Sequence, residues 1–155
     1  MGQLHAAGFS TLAPQSRASA IESERLPDVV AAVRWLRRRP DVDRDRIGLV
    51  GASIGASTAV LAMATGVRRT PGAAVALSPP DSADIWDLQA RGRYRPHDVL
   101  FISDEREATS IEGMRDGTIR SKAMRSEQPG HGVALLAERP IRAALMAWLE
   151  DRLGG

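Results

Sequence analysis

Cysteine is absent from this chain, so neither disulfides nor thiolate metal sites are open to it. That fits a reducing compartment, and cytoplasmic residence is the expectation. Lysine is nearly absent: Lys122 is the only one, and the basic balance rests on arginine. Aromatic residues are scarce, and none is interleaved with the arginines as a stacking platform, so nucleic-acid binding is not expected. Arg37-Arg38-Arg39 reads as a helix end, where cations complement the dipole, and Arg68-Arg69 reads as solvated charge just past a helix stop at Gly66. No apolar run approaches a membrane span, and the first residues lack the basic-then-apolar pattern of a signal peptide. Repeats and low-complexity segments are also missing. With 155 residues the chain can bury a core without staples, and it reads as a single domain over 1–155.

What is there alternates between short apolar runs and helical patterns. A strand is expected at about Phe9–Ala13, followed by a polar loop from Gln15 to Ser23. A helix opens near Pro27, carries Val29, Val30, Val33 and Leu36 on one face, and stops at Pro40. Further strands are expected at Ile47–Val50, Ala73–Leu77 and Val99–Ser103, with a weaker one near Ser121–Ser126. Helices are expected after Ser53, near Thr109–Arg115 and over Ile141–Leu153. The stretch Asp81–Pro96 has no clear period and reads as a short helix or flap. The order implies an α/β domain with a mostly parallel sheet of about five strands and crossover helices.

The chemistry centres on Gly51-Ala52-Ser53-Ile54-Gly55, which stands between a buried strand and a small-residue helix. In that setting G-x-S-x-G forms a nucleophile elbow. The flanking glycines are expected to avoid steric crowding, and the turn pushes the Ser53 hydroxyl past the end of the sheet. It is neither a phosphate-binding loop nor a dinucleotide fingerprint. A serine needs a base, and only His5, His97 and His131 are present. His5 and His97 read as solvated surface imidazoles. His131, in a loop before the last helix, is the candidate base. The acid should follow the strand Val99–Ser103, where Asp104 and Glu107 are both possible and Glu105 reads as a surface charge.

Together with the helix from Pro27 and Asp98-Val-Leu-Phe-Ile102, these motifs resemble the α/β-hydrolase superfamily, in the flavour of dienelactone-hydrolase-like esterases. The resemblance runs from about Gly8 to Leu153, and the order serine, acid, histidine matches it. On the family pattern Asp104 replaces a glycine and Glu107 takes the acid's place, so Glu107 is preferred. The resemblance implies a triad of Ser53, Glu107 and His131, and the Ile54 N–H as an oxyanion donor. The second oxyanion donor of the family belongs to a loop with no counterpart here, with Gln15 as a speculative stand-in. The chain therefore reads as a truncated or minimal form lacking the first strands. Trp86 either lines an acyl pocket or plugs the top of the core.

The expected activity is hydrolysis of a small-molecule carboxylic ester, with no metal or organic cofactor. Thioesterase, amidase or acyltransferase chemistry with the same groups is the alternative, as is a non-catalytic remnant that acts by association. Strands apolar on both faces, with one face covered by the last helix alone, imply a homodimer or higher oligomer.

Overall fold

The computed structural model describes residues 2–15, 17–65 and 71–154. The expected helix stop at Gly66 and the pair Arg68-Arg69 lie outside the described residues.

Among the described residues four strands form one parallel sheet in sequential order: β1 (Gly48–Ala52), β2 (Ala73–Leu77), β3 (Val99–Ser103) and β4 (Lys122–Arg125). Register places Val50 beside Val75, Val75 beside Leu100, and Leu100 beside Lys122. β2 and β3 are buried at every position, as central strands covered on both faces must be. β1 and β4 are the edges.

One face is covered by α2 (Glu22–Leu36), which precedes β1, and by the crossover helices α3 (Ile54–Ala64), α4 (Ala83–Ala90) and α5 (Ala108–Arg115). Val60, Met63, Ala74, Ala76, Ile85, Phe101 and Met114 form that core, with Leu26 and Leu49 packed against it. α3 is apolar around its circumference and buried from Ala56 to Met63, the pattern of a helix sandwiched between a sheet and other helices. The opposite face belongs to α6 (Arg139–Leu153), whose Ile141, Leu145, Trp148, Leu149 and Leu153 pack on Val75, Leu77, Leu100 and Ile102. Leu4, in the short helix α1 (Gly2–Ala6), and Phe9 help to cover this face.

The stretch expected as a strand at Phe9–Ala13 lies outside the sheet. The physical cause is its attachment to α1. Gly8 turns the chain at φ +84°, the Phe9 N–H closes the helix end on the Leu4 carbonyl at 2.9 Å, and Thr11 Oγ1 lies 2.6 Å from His5 Nε2. A backbone folded back on its own helix has no donor row to offer β1.

α2 also begins earlier than its proline suggests, with Pro27 inside it. Glu22 and Glu24 occupy the first turn, Ser19 Oγ donates to Glu24, and the Ser23 N–H finds the Asp84 carboxylate of α4 at 2.8 Å. That last partner lies 61 residues away and leaves no local trace. The stretch after Pro80 is a true helix, capped where the Ser82 hydroxyl accepts the Ile85 N–H at 3.3 Å.

Candidate active site

The carboxyl ends of β1 to β4 are stitched to one another by continuing the sheet's ladder. Ser53 N–H donates to the Leu77 carbonyl at 2.8 Å, Ser78 N–H to Ile102 at 2.7 Å, and Ser126 N–H to Ser103 at 2.8 Å. This rigid rim holds the candidate residues.

Ser53 sits between β1 and α3 at φ 52°, ψ −130°, a conformation that L-residues rarely adopt. Ser53 as a whole is partly exposed. A Cβ on Gly51 would lie 2.1 Å from the Gly55 carbonyl oxygen, so the turn can close only with glycine there. The same reasoning fails for Gly55, where an added Cβ meets nothing within 4 Å. The crowding expected at both glycines therefore belongs to Gly51 alone. The Ile54 N–H is the first of α3, directly after Ser53, and has no backbone acceptor among the described residues, as expected of a helix's first turn.

His131 Nδ1 lies 2.6 Å from Glu107 Oε1, which leaves Nε2 free for another partner. Glu107 closes the 3₁₀ turn Glu105–Glu107 that follows β3, while its other carboxylate oxygen is buried without a partner among the described residues. Asp104 does not meet His131. Its carboxylate caps the same turn, accepting from Arg106 N at 2.9 Å and Arg106 Nε at 2.8 Å, and it receives the Gly130 N–H at 3.1 Å. The Arg106 hydrogen bond, then the one from Gly130, holds the Asp104 carboxyl below its ordinary value. Glu105 is a surface charge paired with Arg125 at 2.5 Å.

The histidine loop is brought against the elbow through Gly132. A Cβ there would lie 3.5 Å from Ala52 Cβ and 3.9 Å from Ser53 N, and Gly132 itself adopts φ +57°. Its N–H donates to Ser78 Oγ at 2.9 Å. Ser126 and Glu138 tie the ends of the same loop together, and the Ser126 hydroxyl holds the Glu138 carboxyl below its ordinary value. Ser53 Oγ and His131 Nε2 share no hydrogen bond in this arrangement, a separation common where the serine–base contact tightens only with substrate.

Other expected positions fall elsewhere. Gln15 is exposed and makes no hydrogen bond to a described residue. Trp86 is half exposed on α4 and so does not plug the core. His5 is exposed, but His97 is not a free surface imidazole: its Nδ1 lies 2.9 Å from the buried Asp98 carboxylate at the entrance to β3. Among the described residues no three His, Asp or Glu converge as a metal site would. Two residues of this rim carried no usable sequence signal. Ser78 follows an apolar run like any strand end, and the sequence presents Asp104 only as a rival acid.

A parallel sheet with an elbow at the end of one strand, an acid after another and a histidine loop before the last helix defines an α/β-hydrolase-like fold. Solved structures share it. An esterase from Pyrococcus furiosus superposes with a TM-score of 0.65 at 15% identity, over 89% of this chain and 65% of its own. A dienelactone hydrolase from Anabaena variabilis gives 0.63 at 19% identity, over 88% and 63%. The dipeptidyl peptidase 4 of Porphyromonas gingivalis gives 0.56 at 16%, over 83% of this chain and 22% of its own. The chain thus spans about 65% of the length of the esterase. No curated protein matches it. Residues 30–132 match the family model described as BAAT / acyl-CoA thioester hydrolase C terminal, a span that includes Ser53, Glu107 and His131. The chain belongs to that family.

Proposed function

We propose that this chain is a serine hydrolase that cleaves small carboxylic esters. Ser53 Oγ attacks the carbonyl carbon while His131 Nε2 takes its proton. Collapse of the tetrahedral intermediate breaks the ester C–O bond, and the leaving alkoxide takes the proton back. Water then adds to the acyl-enzyme by the same proton relay, releasing the acid and restoring the serine. Glu107 fixes the tautomer of His131 and stabilises the imidazolium. The Ile54 N–H faces the developing oxyanion. The chemistry needs no cofactor.

The observation that supports this reading best is the pairing of Glu107 with His131 on a loop packed against the strained serine. These residues come from three separate connections. The family match favours a second reading, acyl thioesters as substrates, because the same relay expels a thiolate even more readily than an alkoxide. No described helix is long and apolar enough to cross a membrane, and the lack of cysteine supports a reducing, cytoplasmic setting.

The test compares wild type with Ser53→Ala on p-nitrophenyl acetate and on a short acyl-CoA. Wild-type turnover of the ester, abolished in the variant, is the expected result. Faster turnover of the thioester would move the substrate class to the second reading. Equal, negligible rates on both would leave a hydrolase-like module that acts by association.

A further inference from the structure

Ser78 is a buried serine in a backbone conformation that favours glycine. It stands at φ +50° immediately after β2 and is 1% exposed. Glycine populates positive φ without steric cost, whereas a side chain resists it. A serine held there implies a use for its hydroxyl. That use is visible: Ser78 Oγ accepts the Gly132 N–H at 2.9 Å, 54 residues further along the chain. Gly132 is itself buried and left-handed, and a Cβ added to it would lie 3.5 Å from Ala52 Cβ.

We infer that Ser78 is a positioning residue for His131, an inference that rests on the proposed serine-hydrolase reading. The histidine is clamped on both flanks. Asp104 Oδ2 holds the preceding N–H, of Gly130, at 3.1 Å, and Ser78 Oγ holds the following N–H, of Gly132. Glu107 then sets only the rotation of the ring, through Nδ1. Ser126 and Glu138 tie the ends of the loop, but next to the exposed His131 these two backbone N–H bonds are the ones that link it to the ends of β2 and β3. Ser78 is in turn fixed by its own N–H on the Ile102 carbonyl at 2.7 Å, so the end of β3 sets the position of the base through β2. Ser78 touches no reacting atom. It transmits the geometry of the sheet to the imidazole.

Two substitutions separate positioning from stability. Ser78→Gly removes the hydroxyl but suits the left-handed backbone, so its melting temperature should lie above that of Ser78→Ala. Ser78→Ala removes the hydroxyl and keeps the unfavourable conformation, so its melting temperature should fall. Both should lower kcat on p-nitrophenyl acetate by a similar factor, roughly 3- to 10-fold as one neutral hydrogen bond allows, with KM unchanged. In both, amide exchange at Gly132 measured by NMR should quicken at least several-fold while core amides of β2 stay protected. If kcat follows melting temperature instead, or if Gly132 exchange is unchanged in both variants, Ser78 is structural only and the inference is wrong. Activity that survives Ser53→Ala would overturn the hydrolase reading itself. Ser53-dependent activity with full kcat in both Ser78 variants would overturn the positioning role alone.

Discussion

A Cβ on Gly51 would lie 2.1 Å from the Gly55 carbonyl oxygen, whereas a Cβ on Gly55 meets open space. Gly51→Ala should therefore force the elbow apart and lower stability by about 2–4 kcal/mol, read as a lower urea midpoint. Gly55→Ala, near the start of α3, should be neutral or stabilising by up to about 1 kcal/mol, because alanine is the better helix former. Equal losses from both would show that the turn is tight on both sides. The carboxylates differ in the same residue-by-residue way. Glu107→Ala should cost more in kcat than Asp104→Ala, since Glu107 meets the imidazole and Asp104 meets the Gly130 N–H beside it. The reverse ranking would return the acid's role to Asp104. Ser53, His131 and Glu107 can be proposed from sequence because G-x-S-x-G marks one serine, only three histidines are present, and the resemblance fixes the chain order. Ser78 and Asp104 cannot be given their roles that way. Their partners are backbone N–H groups 54 and 26 residues away, and a backbone amide looks alike at every position.

At the scale of elements, β2 and β3 are legible to the residue because a fully buried strand is an uninterrupted apolar run. The start of α2 is not, since Asp84 supplies its first-turn partner from another helix. The strand expected at Phe9–Ala13 fails for a similar reason: its backbone is tied to α1, and apolar content alone does not reveal that. The base of β3 is held by Asp98, a buried carboxylate at φ 52° that accepts from Arg120 Nε at 3.0 Å, Arg152 Nε at 3.2 Å and His97 Nδ1 at 2.9 Å. Arg152 in turn lies 3.4 Å from the centre of the Trp148 ring, which joins α6 to this knot. Burial pulls the Asp98 carboxyl upward, but the hydrogen bonds from Arg120 and His97 outweigh it and hold it at about 2, against an ordinary 3.8. A depressed carboxylate stabilises the fold fully above its unfolded value and stops doing so as pH falls through its folded one. Asp98→Asn should thus lower the urea midpoint at pH 7, and the gap from wild type should narrow as pH drops from about 4 towards 2. A gap of the same size at pH 7 and pH 2 would show that the charge on Asp98 contributes nothing.

At the scale of the whole molecule, the two edges of the described sheet, β1 and β4, are unlike. β4 reads Lys122-Ala123-Met124-Arg125, with both charged residues exposed, which is how an edge strand resists pairing with another chain. β1 reads Gly48-Leu49-Val50-Gly51-Ala52 and carries no charge. Val50 is 48% exposed on the face that α6 and Phe9 cover only further along the sheet, and Trp35 and Ile21 are about as open. The apolar face was expected to be bare except for α6; α1 and Phe9 reduce that exposure, while Val50 stays 48% exposed. An uncharged edge with an apolar residue at its centre gains both backbone hydrogen bonds and burial when it pairs, so copies of this chain should associate through β1. Light scattering at micromolar concentration should report a dimer or larger species. Val50→Lys, which places a cation where β4 already has two, should shift that species towards monomer, and Lys122→Ala on the opposite edge should not. A wild-type monomer at that concentration would show that the open edge is tolerated in isolation, and association through Lys122's strand would show that the wrong edge had been chosen.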